Sequence, residues 1–389
     1  MKIAHFAKIL STGSKSNTLR VGGSESSVVN LARAQSKNHD VIILNSKKLE
    51  NLKIKNINFF YLKFNLINIF FNNPFFNLIK VFGKPDIIII HEIYSLNILP
   101  LIFFSKITNI KIYICPRGTL SPVALEINKF KKYFFHQIIF KNIAKLISGF
   151  IALTNGEKIH IKKMFKNHRI YLIPNGVDKS NTNFKKIKNS FDLKFNKKKF
   201  LIGYLGRFDF YIKGLDILLK EYSIYLSKSL TKSVKLIFIG EHRIKSGYSS
   251  KYIISKFNKL NKKNSIIVSG PFYDRRKYKE LQKLDVLIQP SRSEGMPSAV
   301  LEAMSVGVPV AATKETNILD ILKKNNLGWE IKHKKSNISD FLLEIESVNK
   351  KKIFNFGLRG YKYVANELDI QKISDYCFKH NKIKSYKIK

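Results

Sequence analysis

The stretch PDIIIIHEIY (85–94) is apolar almost without interruption. A strand wetted on one face alternates polar and apolar residues. One that is apolar throughout is buried on both faces, as in a parallel sheet covered by helices on either side. Runs of the same kind recur along the chain: KIAHFA (2–7), HDVIILN (39–45), IKIYIC (110–115), FIALT (150–154) and RIYLIPNGVD (169–178). Stretches with helical spacing, such as SSVVNLARAQSK (26–37), lie between them. Strands alternating with helices predict an open parallel sheet of the α/β class. After residue 199 the pattern restarts with LIGYLG (201–206), VKLIFIG (234–240), SIIVSG (265–270), DVLIQPS (285–291) and VPVAAT (308–313). The segment between the two series, 179–199, is polar, basic and aperiodic, and reads as a linker. With 389 residues, 44% of them hydrophobic, the chain is too long for one ordinary core and long enough for two. The expectation is two βα domains in tandem, 1–178 and 200–365. A basic C-terminal helix over 366–389 is free to pack back on the first domain.

Composition limits what surrounds such a chain. Seventy Lys and Arg against 27 Asp and Glu give a formal charge of +43. That charge suits a polyanionic neighbour, either nucleic acid or an anionic membrane face. It also suits a plain compositional bias, since Lys, Asn, Ile and Phe are abundant throughout. On either reading it attracts phosphates in a salt-dependent way. The most apolar region, 64–82, is broken by Asn and by Pro74, so no membrane-spanning helix is expected. MKIAHFAKIL at the start reads as a first strand rather than a signal peptide. Cys115 and Cys377 form neither a disulfide framework nor a metal spacing, which points to a reducing cytoplasm.

The chemistry concentrates at SRSEGMPSAVLEAMSVGVPV (291–310). Two carboxylates, Glu294 and Glu302, sit among small and apolar residues, where an ionised group is costly without a partner. PSAVLEAMSV reads as a helix between two strands, with Pro297 in its first turn and Gly307 as its left-handed stop. Glu294 then lies in the loop before the helix, and Glu302 lies inside it, roughly 7–8 Å of rise beyond Pro297. Between the two acids is a helix N-terminus at the carboxyl end of a parallel strand, an anion site. This layout suits a ligand with phosphate in the middle and hydroxyls at both ends, as in a nucleotide sugar. The same residues also suit a surface position on an ordinary helix and a loop charge. Arg207, just past LIGYLG, and Lys213, opening KGLD, are cations placed to bind a diphosphate in the same crevice.

GGSE, IPNGVD, GRFDFYIKGLDILL, EGMPSAVLEAM and GVPVAAT, in this order and spacing, resemble the retaining GT-B-fold glycosyltransferases of family 4, the large group 1. CPRGTLSPVAL (115–125) resembles a subgroup with a Pro-Arg-Gly motif. The resemblance implies a GT-B fold, two Rossmann-like domains with parallel sheets facing across a cleft, the acceptor bound mainly by the first and the nucleotide-sugar donor mainly by the second. It implies that Glu302 holds the ribose hydroxyls and that Glu294 lies near the sugar. Arg207, Lys213 and the helix start at Pro297 and Ser298 would bind the diphosphate, with Gly23 of GGSE letting backbone approach it. Gly270 and Pro271 match the segment beside the nucleobase. His91 matches the second His of an Asp-x-x-His-x-His pattern whose first His is replaced here by Ile89, and is expected beside the transferred sugar. A satisfied histidine at a strand end is the alternative. Arg117 and Gly118 look like acceptor-side residues, or equally parts of a loop, while Asn155 and Glu157 read as structural.

The implied reaction moves a hexose from a nucleoside diphosphate to a hydroxyl of a growing glycan, with retention and without an expected metal or other cofactor. The transition state would resemble an oxocarbenium ion, with Arg207, Lys213 and the helix dipole stabilising the leaving diphosphate. EINKFKKYFFHQIIFKNIAKL (126–146) is basic and aromatic. It suits a domain helix with a solvated face, or an interfacial helix beside a lipid-linked acceptor on the inner face of the plasma membrane. The leading expectation is an enzyme of lipopolysaccharide, capsule or exopolysaccharide assembly. Other readings keep the fold, as a soluble sucrose- or trehalose-type synthase or a nucleotide-sugar epimerase. A nucleic-acid-binding protein would need aromatic platforms or a basic recognition helix, and the charge here is diffuse.

Overall fold

A computed structural model of the chain describes residues 1–7, 22–45, 57–62, 73–178, 199–240, 265–379 and 382–388. The expected linker lies outside these residues except for Lys199, as does most of the loop after the first strand. The chain forms two compact units, Met1–Gly176 together with Ile370–Lys389, and Val177–Asp369.

In the first unit, β1 (Lys2–Phe6), β2 (Asp40–Asn45), β3 (Asn58–Tyr61), β4 (Ile87–Ile90), β5 (Lys111–Ile114), β6 (Gly149–Ala152) and β7 (Ile170–Leu172) form a parallel sheet. Its order is β3-β2-β1-β4-β5-β6-β7. The helices described between these strands are α1 (Gly23–Gln35), α2 (Pro74–Phe82), α3 (Ile98–Ile107), α4 (Pro122–Glu126), α5 (Lys129–Phe134) and α6 (Asn155–Met164). α5 continues through a π turn at Phe135–Phe140 and a last turn at Lys141–Ile143. The four isoleucines of β4 are all buried, as an apolar run between two helical layers requires. The strand is shorter than the apolar run. It leaves the sheet after His91, whose N–H still donates to the Phe6 carbonyl at 2.9 Å. Helix starts follow local chemistry. The Asn73 side chain accepts from Phe75 N–H at 2.9 Å ahead of Pro74 in α2, and Thr154 Oγ1 accepts from Glu157 N–H at 3.1 Å in α6.

In the second unit, β8 (Phe200–Leu205), β9 (Val234–Ile239), β10 (Ile266–Ser269), β11 (Val286–Gln289), β12 (Val310–Ala312) and β13 (Gly328–Glu330) form a second parallel sheet, ordered β10-β9-β8-β11-β12-β13. Its helices are α7 (Leu215–Lys228), α8 (Asp274–Gln282), α9 (Ser298–Ser305), α10 (Leu319–Lys324), α11 (Asn337–Ser347) and α12 (Lys350–Glu367). β3 and β13 escape sequence reading because NFFY and GWE are only four and three residues long. The tail is not one helix over 366–389. α12 ends where Asp369 pairs with Val177, whose N–H donates to the Leu368 carbonyl at 2.9 Å. α13 (Ile370–Cys377) then packs on α1, and the short antiparallel pair β14 (Phe378–Lys379) and β15 (Lys382–Ile383) follows.

Both sheets run one way from a central strand and then restart on its other side, at β1/β4 and at β8/β11. Connections leave such a switch point in opposite directions and open a crevice at the strands' carboxyl ends, where α/β sheets bind ligands. No helix among the described residues is long and apolar enough to cross a membrane.

Gly214 fixes the turn that carries Lys213. Its φ is +66°, and a Cβ there would stand 1.9 Å from the Pro290 carbonyl oxygen. Gly214→Ala is therefore expected to destabilise the second unit by roughly 2–4 kcal/mol, read as a lowered midpoint in denaturant unfolding.

Candidate active site

In the second unit the predicted residues gather at the β8/β11 switch. The loop after β8 is folded by Asp209, whose carboxylate accepts from Ile212 N–H at 3.0 Å and whose carbonyl accepts from Lys213 N–H at 3.1 Å. The loop after β11 is pinned to it. Arg292 N–H donates to the Ile212 carbonyl at 2.8 Å, and its guanidinium forms a fork on Asp216, both bonds 2.7 Å. Glu294 is held at its backbone from both sides. Its N–H donates to the Glu315 carbonyl at 3.1 Å, and its carbonyl accepts from Asn317 Nδ2 at 2.7 Å.

This scaffold brings Lys213 Nζ to 2.5 Å from Glu294 Oε1. The same oxygen accepts from Ser291 Oγ at 2.9 Å and Gln289 Nε2 at 3.1 Å, and Oε2 takes no hydrogen bond from the described residues. The cation expected on the diphosphate and the acid expected on the sugar are thus each other's partners. Glu302 is buried inside α9 rather than on its surface. Its Oε1 is 2.6 Å from Lys277 Nζ, from α8. Two largely buried carboxylates therefore flank the start of α9, each neutralised by a lysine, the condition under which buried acids are tolerated. Pro297 is the N-cap of α9, extended at ψ 115°, one place earlier than the first-turn position expected from the sequence. It has no side-chain oxygen to cap the turn that Ser298 begins, so the dipole end there is met by no cap from that residue. Gly307, at φ +76°, is the expected stop.

The other donor-side residues are more dispersed. Arg207 lies past β8 with its side chain nearly half exposed, 3.9 Å from Asp209. Gly270 and Pro271 follow β10 at the sheet edge, with β9 and β8 between them and β11. Both are exposed, and a Cβ on Gly270 would meet nothing within 4 Å, so no local packing demands a glycine there.

In the first unit, His91 joins a partly buried chain of side chains at the β1/β4 switch. Arg117 Nε donates to His91 Nδ1 at 3.1 Å. His91 Nε2 lies 2.9 Å from His5 Nδ1, and His5 Nε2 lies 2.6 Å from Gln35 Oε1. Arginine can only donate, so Nδ1 of His91 is bare and its proton sits on Nε2, donating to His5. His5 in turn carries its proton on Nε2 and donates to Gln35. Burial pushes His5 down to about 4, and burial followed by the Arg117 charge holds His91 well below the usual histidine range. Arg117 is held by φ +55°, and its Nη1 donates to Ser27 Oγ at 2.6 Å and to Asn175 Oδ1 at 3.4 Å. The next residue, Gly118, gives its N–H to Glu157 Oε1 at 2.5 Å, while Leu153 N–H donates to Oε2 at 2.8 Å. Glu157 thus ties two loops together. Gly23 is the first residue of α1, and the Glu25 carboxylate reaches back to accept from Gly22 N–H at 2.9 Å.

Sequence reading missed His5, Gln35 and Lys277. The signal for His5 was present but needed register: His5 pairs across the sheet with Ile89, the position where the expected first histidine is missing. The imidazole arrives from the neighbouring strand instead.

The family description "Glycosyltransferase Family 4" matches residues 21–181, and "Glycosyl transferases group 1" matches 185–356. Protein CapJ of Staphylococcus aureus is 27% identical over 277 residues, 62% of this chain and 66% of CapJ. The capsular polysaccharide biosynthesis glycosyltransferase CapM of the same organism is 26% identical over 275 residues, 65% of this chain and 66% of CapM. The matches span just under two thirds of either relative. HepE of Anabaena, solved in complex with UDP and glucose, superposes with a TM-score of 0.72 at 15% identity, covering 97% of this chain and 98% of that one, a likeness of fold.

The His5 shift gives a pH prediction. A histidine lowered to about 4 is neutral in the fold while the unfolded chain takes up a proton near 6.5. Its contribution, on the order of 3 kcal/mol, is fully present above pH 6.5 and is lost as pH falls towards 4. NMR titration of the ring nitrogens should show His5 unprotonated at pH 5.5, and His5→Gln should flatten the loss of stability between pH 6.5 and 4. A His5 midpoint near 6.5 would refute the buried neutral chain.

Proposed function

We propose, from the premise that this chain belongs to the group 1 glycosyltransferases of glycosyltransferase family 4, that it moves a hexose from a nucleotide sugar to a glycan or lipid-linked acceptor, with retention, in the assembly of a surface polysaccharide. The observation that carries this reading is the pair of lysine-neutralised glutamates flanking the start of α9. A diphosphate entering there would draw Lys213 away from Glu294 and meet the helix dipole at Pro297 and Ser298, with Arg207 as a further cation. Glu294 Oε2 would accept from a sugar hydroxyl, and Glu302 would accept from the ribose hydroxyls in competition with Lys277. Gly23 and the segment at Gly270 and Pro271 keep the assignments implied by resemblance, to the phosphates and the nucleobase. CapM is named for capsular polysaccharide biosynthesis and HepE was solved with UDP, which favours a uridine nucleotide and an acceptor of that class.

In the proposed step the bond from the anomeric carbon to the diphosphate oxygen breaks, and the electron pair leaves with the diphosphate. The acceptor oxygen bonds to the same face of that carbon, and its proton passes to the departing diphosphate. Positive charge on the sugar peaks in between. The side chains' work is electrostatic stabilisation of the leaving group, so the reading assigns no metal. In the first unit, His91 is assigned to substrate as a neutral ring held in one tautomer, with Arg117 and Gly118 on the acceptor side. The reading places the protein in the cytoplasm, peripheral on the inner face of the plasma membrane, where a lipid-linked acceptor is met.

A thermal-shift screen of nucleotide sugars should find one that raises the midpoint. With that donor, Lys213→Ala and Glu302→Ala should each weaken binding about tenfold or more, at least about 1.4 kcal/mol. Glu294→Ala should chiefly lower kcat, by about a hundredfold or more, as for loss of a group acting in the transition state. NMR of the product should show the donor's anomeric configuration. Wild-type binding and turnover in all three variants would refute the assignment.

A further inference from the structure

The outer face of the helix from Lys129 to Ile143 is apolar where a solvated helix is polar. Phe130, Tyr133, Phe134 and Ile138 are 78%, 59%, 57% and 64% exposed. Their spacing of three and four residues puts them on one side. The π turn keeps them in line. An α-helix carries an i+4 neighbour slightly past a full turn and a π turn leaves it slightly short, so Ile138 returns beneath Phe134 and Phe130. The opposite side is already committed. Phe140, Ala144 and Ile147 are buried in the core, and Phe135 packs on Tyr94 with ring centroids 5.7 Å apart. The exposed rings are therefore not surplus core. The turn after the helix touches α3, where Phe103 and Ile107 are also exposed.

The charge on this face is mostly positive; the one acid at its start, Glu126, is paired with Lys129 at 3.2 Å. Lys131, Lys141 and Lys145 are exposed beside the rings, and the chain contains no Asp or Glu from Ile127 to Gly156. α3 has none either. A second copy of a chain with net charge +43 would set these lysines against themselves. An anionic bilayer matches both features: acyl chains take the aromatic and aliphatic groups, and lipid phosphates take ammonium groups whose stems lie along the apolar strip. We infer that this face of the first unit, formed by the helix from Lys129 to Ile143 and the exposed side of α3, rests on an anionic lipid surface with the helix axis in the headgroup plane. This deepens the peripheral localisation proposed above and rests on it for the choice of leaflet, but it is read by binding alone.

The test is flotation of the full chain with phosphatidylcholine vesicles, with and without phosphatidylglycerol, at about 0.15 M salt. The wild type should float with the anionic vesicles. The variant Phe130→Ser/Phe134→Ser/Ile138→Ser should bind them about tenfold more weakly at an unchanged melting temperature, because these side chains are outside the core. Lys131→Glu/Lys141→Glu should lose the preference for phosphatidylglycerol. A wild type that stays unbound overturns the inference. So does a serine variant that floats like the wild type, which would assign binding to diffuse charge. Loss of single-stranded oligonucleotide binding or of self-association in that variant, with vesicle binding intact, would give the face to another partner. A wild type that floats as described yet binds no nucleotide sugar would overturn the transferase reading and leave this one standing.

Discussion

In a parallel sheet every connection must cross back over a face, so two neighbouring strands whose connections leave in opposite directions are the one place where a ligand can reach the strand ends. The chain has such a place twice, at β1/β4 and at β8/β11. Nearly all the chemistry hangs on these two junctions. Lys213 follows β8, and Glu294 follows β11. His5 lies in β1, and His91 ends β4. The apolar strands pay for the arrangement: they can be buried on both faces because their polar residues wait for the ends.

The second junction is organised around balanced charge. An isolated carboxylate in the sheltered loop before α9 would be costly, and so would a lone lysine beside it. Lys213 with Glu294 and Lys277 with Glu302 remove both costs, and each leaves one carboxylate oxygen without a hydrogen bond from the described residues. The result is a polar site that is stable when empty and yet carries the groups a diphosphate and its flanking hydroxyls would engage. The first junction balances charge in another way. Arg117 fixes the tautomers of two imidazoles, His5 buried and His91 partly buried, and makes protonation of either unfavourable, since a second donor would then face a donor.

Much of this was legible in the sequence, and the reasons differ residue by residue. Both sheets were visible because each is made of apolar runs, such as IIII in β4 and VKLIFI in β9, that admit little else than doubly buried strands. Glu294, Glu302 and Lys213 stood out because strand ends and a helix start are marked by Pro, Gly and a change of period. Lys277 was not legible. It comes from a separate helix, and one lysine among 70 basic residues carries no signal. His5 was not legible as a site residue, because only the register that sets His5 beside Ile89 brings it to His91. The break between α12 and α13 was hidden for a similar reason: it follows from pairing of Asp369 with Val177, nearly the length of a domain earlier.

The measurement that bears most directly on the central claim is a crystal structure of the full chain with its bound nucleotide sugar. We expect the diphosphate at the start of α9 within hydrogen-bond distance of Lys213, the ribose hydroxyls on Glu302, and both lysine–glutamate pairs opened or shared with the ligand. A donor bound elsewhere, with Lys213–Glu294 and Lys277–Glu302 intact, would contradict it.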